Sequence, residues 1–219
     1  MPWPREFDYR AELAYYSTPV TELKEYEWLD ADMREWVPNY PHLFRGKRIL
    51  DIGAGEALQA ILIAERYEPR RVVGLELVPH RLLAASYYRR KKLLRRLELV
   101  SGDCYSLPFK ENEFDIVLGN GILHHLPDLP LIVTQIAKVL RSGGLYVGRE
   151  PNFHNPMVHW RVLKARHHSK NEYGLLPRDV AGAFARCGFE VQTNYFWRRF
   201  PWVRHRRLSA SIRVWARKT

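Results

Sequence analysis

Three groups of residues in the first two thirds of the chain have the types and spacing to hold a charged organic ligand. They are carboxylates at the ends of short apolar runs, glycines beside them, and a histidine pair. The most compact group is Ile49-Leu50-Asp51-Ile52-Gly53-Ala54-Gly55-Glu56-Ala57, followed by the helix-like Leu58-Gln59-Ala60-Ile61-Leu62-Ile63-Ala64. This reads as strand, tight glycine turn, helix. Glycine permits unusual backbone angles and lets the main chain approach a ligand, while the start of a helix presents unpaired N–H groups. A dinucleotide fingerprint, G-x-G-x-x-G, would need glycine at position 58, where the chain has Leu58. Asp51, Gly53, Gly55 and the small Ala57 instead recur at every second position. A carboxylate so near the turn repels a diphosphate and attracts a cation.

Later apolar runs end in further polar residues. Arg71-Val72-Val73-Gly74-Leu75 ends in Glu76, roughly 20 residues past the glycines, where a carboxylate can accept both hydroxyls of a ribose. Leu97-Glu98-Leu99-Val100-Ser101 leads into Gly102-Asp103-Cys104, and Phe114-Asp115-Ile116-Val117-Leu118-Gly119 into Asn120-Gly121-Ile122-Leu123-His124-His125. Ligands of open α/β sheets bind at the carboxyl ends of strands, so four strand ends converge on one face.

This pattern resembles the class I S-adenosylmethionine (SAM) methyltransferases, in the branch called methyltransferase type 11. The motifs cover about Arg48 to Gly148, and topology alone covers the rest. The resemblance implies a Rossmann-like α/β fold, with a seven-stranded, mostly parallel sheet, an antiparallel edge hairpin and helices on both faces. It implies SAM as methyl donor and S-adenosylhomocysteine as product. Asp51, Gly53, Ala54 and Gly55 would then hold the donor at the first turn, Glu76 and Leu77 at the ribose, and Asp103 and Cys104 at the adenine. Asn120 and Gly121 would line the methionine and acceptor side. Methyl transfer chiefly requires alignment and exclusion of water. Where the acceptor is a hydroxyl or protonated amine, His125 and His124 are the foremost candidate bases, with His154 and Tyr16 as second choices. Position 57 departs mildly from the family's third glycine. The segment Gly119-Asn120-Gly121-Ile122 replaces the Asn-Pro-Pro-Tyr type found in amino-methylating nucleic-acid enzymes, which favours a small-molecule, sugar or lipid-linked acceptor.

The elements that must position these residues follow from periodicity. Helices are expected over Leu58 to Tyr67, Pro79 to Leu94, Pro130 to Leu140, Met157 to Lys164 and Arg178 to Cys187. Arg141-Ser142-Gly143-Gly144 is expected to end the third of these, before a fifth strand Leu145 to Gly148. Phe189 to Phe196 and Leu208 to Ala216 read as the last two strands. Strands alternating with helices imply a parallel sheet with right-handed crossovers. Upstream, Leu23, Tyr26, Leu29, Met33 and Trp36/Val37 define one face of a helix over Glu22 to Val37, capped by Thr21 or Thr18. With Trp3, Phe7, Tyr9, Tyr15 and Tyr16 it forms either a lid over the ligand mouth or a cover on the sheet's flank. Residues 1–45 are thus an N-terminal helical lid or flank, and 46–219 a SAM-binding methyltransferase domain.

At 219 residues with 46% hydrophobic content, the chain has enough apolar material for one substantial core. Cys104 and Cys187 are too few for a disulfide framework, no zinc-ligand spacing occurs, and the expectation is no bound metal. No signal-like or membrane-spanning run is visible, so the expectation is a soluble cytoplasmic protein. The net charge is +11, which attracts an anionic partner. Arg81, Arg89, Arg90, Lys91, Lys92, Arg95 and Arg96 are expected mostly on a solvated helix face. A basic aromatic insertion near 197–207, Trp197-Arg198-Arg199-Phe200-Pro201-Trp202-Val203-Arg204-His205-Arg206-Arg207, suits either an anionic membrane, at whose inner face the protein would sit peripherally, or nucleic acid. The alternatives to a small-molecule or lipid methyltransferase are an RNA-modifying methyltransferase and a non-catalytic interaction protein of the same fold.

Overall fold

In the computed structural model the apolar runs assemble into one sheet. The structure describes residues 7–16, 18, 27–165, 171, 173–197, 200 and 202–219. The strands are β1 (Arg48–Ile52), β2 (Arg71–Glu76), β3 (Leu97–Ser101), β4 (Phe114–Asn120), β5 (Leu140–Pro151), β6 (Phe189–Phe196) and β7 (Ser211–Lys218). Their order is β3-β2-β1-β4-β5-β7-β6. β1 to β5 pair in parallel, whereas β7 runs antiparallel to both β5 and β6. This is the expected mostly parallel sheet with an antiparallel edge hairpin.

Helices α3 (Leu58–Arg66), α4 (Leu83–Lys91), α5 (Leu129–Val139) and α7 (Pro177–Arg186) cover the sheet, with α6 (Pro156–Ala165) following β5. Covering both faces buries both sides of the central strands, which explains their unbroken apolar runs. In β1 the side chains alternate. Leu50 and Ile52 enter the core that includes Ile132 and Ile136 of α5, and Ile49 enters the one that includes Ala60 and Ile61 of α3. Asp51 shares the α3 side and accepts a hydrogen bond from Gln59 there.

The N-terminal segment contains two helices where one was expected. α1 (Tyr9–Tyr15), which periodicity did not reveal, is capped by Asp8, whose carboxylate accepts from the Ala11 N–H at 2.9 Å. The second helix is α2 (Glu27–Trp36). Its Leu29, Met33 and Trp36 are buried against the α3 side of the sheet. Arg149 of β5 holds the buried Asp32 carboxylate at 2.7 Å, and Trp215 of β7 donates to the Trp36 carbonyl at 2.8 Å. Of the residues expected in this helix or as its cap, Thr21, Leu23 and Tyr26 lie outside the described residues, as does Trp3. Thr18 sits in a bend well before α2.

Other boundaries differ for local reasons. Arg141–Gly144 does not merely end a helix but belongs to β5, whose pairing with β4 shifts register between Phe114 and Ile116. Arg141 donates to Asp115 at 2.6 Å and Gly143 takes φ +69°, which absorbs the irregularity. Pro79 opens a short 3-10 turn, Pro79–Leu82, rather than α4 itself. β7 starts at Ser211, later than Leu208. Among the described residues no helix is long and apolar enough to cross a membrane.

The packing of α2 can be measured. Trp36→Ala empties a fully buried site and removes the ring N–H that reaches Asp32. Urea denaturation followed by circular dichroism should show a loss of about 3–5 kcal/mol. A loss below about 1 kcal/mol would mean that α2 is not part of the core.

Candidate active site

The loops after β1, β2, β3 and β4 open onto one cleft with two adjoining pockets. An outer pocket has a volume of about 380 Å³ and an inner one about 80 Å³, and both are bordered by Gly53, Gly121, Tyr16 and Arg81. Asp51, Ala54, Gly55 and Asn120 border the outer pocket; Glu76, Leu77, Asp103 and Cys104 border the inner one. The ten residues singled out in the sequence for the methyl donor therefore share one cleft.

At the first turn, Gly53 and Gly55 take φ of +62° and +58°, a region costly for side chains with a Cβ. A Cβ on Gly53 would also meet Ile122 Cδ1 at 2.4 Å, and one on Gly55 the Arg81 guanidinium at 3.2 Å. The turn is tied to β2 twice. The Ala54 N–H donates to the Leu75 carbonyl at 2.9 Å, and the Gly55 N–H to the Glu76 carboxylate at 2.8 Å. The other Glu76 oxygen accepts from the Val78 N–H at 3.0 Å. Asp51 is buried, with one oxygen bonded to Gln59 at 3.1 Å and the other without a hydrogen-bond partner. Burial, reinforced by the Glu76 charge and opposed by the Gln59 hydrogen bond, pushes its carboxyl up to about 8.

The other strand tips are already engaged. Asp103 accepts from the Tyr9 hydroxyl of α1 at 2.6 Å and from the Tyr105 N–H at 2.8 Å. Burial first, then the charges of Asp103 and Glu76, push the Cys104 thiol up to about 12, so it stays a neutral wall and not a thiolate. Asn120 accepts from Arg149 at 2.9 Å, and the Gly121 N–H donates to the Arg149 carbonyl at 2.7 Å.

The two histidines occupy different places. His124 is buried, and its Nδ1 lies 2.7 Å from the Glu150 carboxylate, which also accepts from the Leu123 N–H at 2.9 Å. His125 borders the inner pocket, and its Nδ1 hydrogen points at the Asn171 carbonyl at 3.0 Å. Burial, with the nearby positive character of His124 adding to it, holds the His125 imidazole down at about 3, so it is neutral near pH 7. Of the second choices, Tyr16 borders both pockets, while His154 lies away from them, 3.0 Å from Arg206. His167 and His168 lie outside the described residues. Among the described residues no cluster of His, Cys, Asp and Glu is arranged to hold a metal ion.

Sequence reasoning missed four residues. Glu12, on α1, is buried and borders the inner pocket, and its carboxylate accepts from the Asn171 amide at 3.0 Å. Burial, opposed by that hydrogen bond and reinforced by the Glu76 charge, raises its carboxyl above the ordinary range. Asn171 also clamps Asp8 at the start of α1, accepting from its N–H at 3.1 Å and donating to its carbonyl at 3.0 Å. Gln59 is the partner of Asp51. Arg81 lies in the 3-10 turn and stacks 4.2 Å from the Tyr16 ring centroid, so it faces the cleft instead of joining the solvated arginines of α4. The proline that opens Pro79–Leu82 was the available signal for Arg81; Glu12 and Asn171 had none.

These residues fit a SAM-type donor. Bare backbone at Gly53 and Gly55 makes room, the Glu76 oxygens keep lone pairs beyond those already used, and the orphaned Asp51 oxygen suits a cationic amino group.

Two outcomes follow from this geometry. The Asp51 carboxyl titrates near 8 when folded and near 4 when unfolded. Its stabilising contribution relative to the ionised group is therefore complete below about pH 4 and is lost as pH rises through about 8. The stability of the wild type minus that of Asp51→Asn should fall by a few kcal/mol across this window; a flat difference would refute the assignment. Separately, Asn171→Ala should speed amide hydrogen exchange in Tyr9–Tyr15 at least about tenfold while the sheet stays protected. Unchanged exchange there would show that Asn171 does not hold α1.

The comparisons with known proteins agree with this geometry. Residues 50–148 match the family model described as a methyltransferase domain. The fatty-acid O-methyltransferase of Mycolicibacterium smegmatis is 34% identical over 113 residues, covering 51% of this chain and 40% of that protein. The sterol 24-C-methyltransferase of Saccharomyces cerevisiae is 27% identical over 208 residues, covering 84% and 54% respectively. The chain thus spans about half the length, or less, of these curated relatives. Among solved structures, geranyl diphosphate methyltransferase in complex with SAM superposes with a TM-score of 0.69 at 16% identity, covering 87% of this chain and 85% of that one. Residues 50–148 thus match a methyltransferase domain, and the strand order and glycine turn of that segment agree with the match.

Proposed function

We propose that this chain transfers a methyl group from SAM to an oxygen or nitrogen of a small, largely apolar or lipid-linked acceptor. The observation that carries this reading is the wall of the inner pocket. Besides the donor-side residues, the pocket is lined by apolar Phe7, Ile122 and Leu126 and by the polar Glu12, Tyr16, Arg81 and His125. Such a wall favours an acceptor with a hydrocarbon body and one reacting polar atom. The relatives named for fatty-acid and sterol methylation support the same class.

When bound, SAM supplies a methyl group already activated by its sulfonium. The chain's own residues then divide the remaining work. Asp51 and Glu76 would hold positive and hydroxyl groups of the donor, and the glycine turn leaves its path free of side chains. Phe7 and α1 close the inner pocket against water. His125, kept neutral by burial and held in one tautomer by the Asn171 carbonyl, orients the acceptor. Glu12 takes the proton of a hydroxyl acceptor as its oxygen attacks, or of an ammonium before its nitrogen can attack, because burial raises its proton affinity.

A labelled-methyl assay against lipid extract, sugar and RNA fractions tests the acceptor class, and label should enter the lipid or small apolar fraction. Label confined to RNA would overturn the reading. With an accepted substrate, Glu12→Gln should lower kcat by about 10²-fold or more and leave the affinity for SAM within about threefold. An unchanged kcat would remove Glu12 from the proton transfer.

A further inference from the structure

The end of the sheet that bears the cleft also carries a surface the cleft does not use. Among the apolar α6 residues of described burial only Val162 is buried, whereas Met157 and Trp160 are each 61% exposed and Leu163 is 44% exposed. Their spacing of three sets them in one strip along the helix. Arg161 and Lys164 are exposed beside them, with the Lys164 ammonium 5.5 Å from the Trp160 ring centroid.

The β6–β7 connection is fastened to the same end. Pro151 of β5 pairs with Ser211 of β7. The Asn152 amide donates to the carbonyls of Arg206 and Ser209 at 2.8 and 2.7 Å, and the Asn155 amide to the Leu208 carbonyl at 2.8 Å. These bonds hold Trp202 and Leu208 outward, 77% and 56% exposed, among the exposed Arg204, Arg206 and Arg207. No Asp or Glu occurs between Pro151 and Lys170, nor after Glu190. The insertion residues Arg198, Arg199 and Pro201 lie outside the described residues.

We propose that α6 and the β6–β7 connection form a docking face for an anionic lipid bilayer. Arginine and lysine meet acidic headgroups, while Trp160 and Trp202 seat in the interface with Met157, Leu163 and Leu208 beneath them. The aliphatic members decide between lipid and nucleic acid. Methionine and leucine gain little from bases, which reward aromatic stacking, but gain fully from the acyl boundary. Single large residues are normal on a surface; a strip of them interleaved with only basic charge is not. The face lies at the carboxyl end of β5, so a docked protein brings its cleft to the lipid surface. The surface stands whether or not the acceptor is a lipid.

Co-sedimentation of the full chain with vesicles tests it, using phosphatidylcholine alone and phosphatidylcholine mixed with phosphatidylglycerol. Binding is expected to the mixed vesicles and to weaken with salt. Arg204→Gln with Arg207→Gln should weaken it about tenfold or more, as should Trp160→Ser with Trp202→Ser. None of these residues borders the cleft, so SAM affinity should be unchanged in both variants, which also reports on folding. Absence of vesicle binding, equal binding to neutral vesicles, or binding that both variants retain would overturn the proposal. So would RNA binding through the same arginines that displaces the vesicles. Vesicle binding without methylation of any lipid would leave this face intact and count only against the proposed acceptor.

Discussion

The carboxylate of Glu76 is the interaction on which the site depends. It accepts from the Gly55 N–H with one oxygen and the Val78 N–H with the other, and so ties the tip of β2 to the turn that follows β1. A charged acceptor bonded to two buried amides is among the stronger interactions in a fold, and leaving those amides unpaired is costly. The turn it holds has Gly53, Gly55 and Ala57 all at positive φ, a run of left-handed residues that would not persist unsupported. The same carboxylate charge helps to push the Asp51 proton affinity up, so one group sets both the shape and the electrostatics of the cleft.

The core of the fold was legible because its signals are local. The run Ile49 to Ala57 encodes a buried parallel strand and a glycine turn within nine positions, and Glu76, Asp103 and Asn120 each stand at the end of an apolar run. Once the strands are parallel, their carboxyl ends share a face, so bringing these residues together needed no further information. The two late strand-like runs were legible as strands, but their antiparallel pairing came from the family resemblance and not from the runs themselves. Boundaries were less legible. The irregular start of β5 depends on Arg141 reaching Asp115, a contact between strands that no window along the chain contains.

The residues that escaped notice are those positioned by distant partners. Glu12 looks like any helical glutamate until Asn171, 159 positions away, draws it into the inner pocket. Arg81 looks like one of a basic cluster until a 3-10 turn aims it at Tyr16. His124 and His125 are adjacent in sequence, yet the first bonds to Glu150 beneath the site and the second borders the pocket. The N-terminal segment was read as lid or flank because one helix was seen where two exist. α2 buries Met33 and Trp36, while α1 borders the inner pocket through Glu12 and bonds Asp103 through Tyr9.

Four strand tips meet in one cleft organised by Glu76, and that cleft is the proposed site for SAM. Titration calorimetry of SAM into the wild type and into Glu76→Gln tests it most directly. One site per chain is expected in the wild type, weakened about ten- to a hundredfold in the variant, the range for losing hydrogen bonds to a charged group. No binding heat with the wild type, or undiminished affinity in Glu76→Gln, would contradict the account.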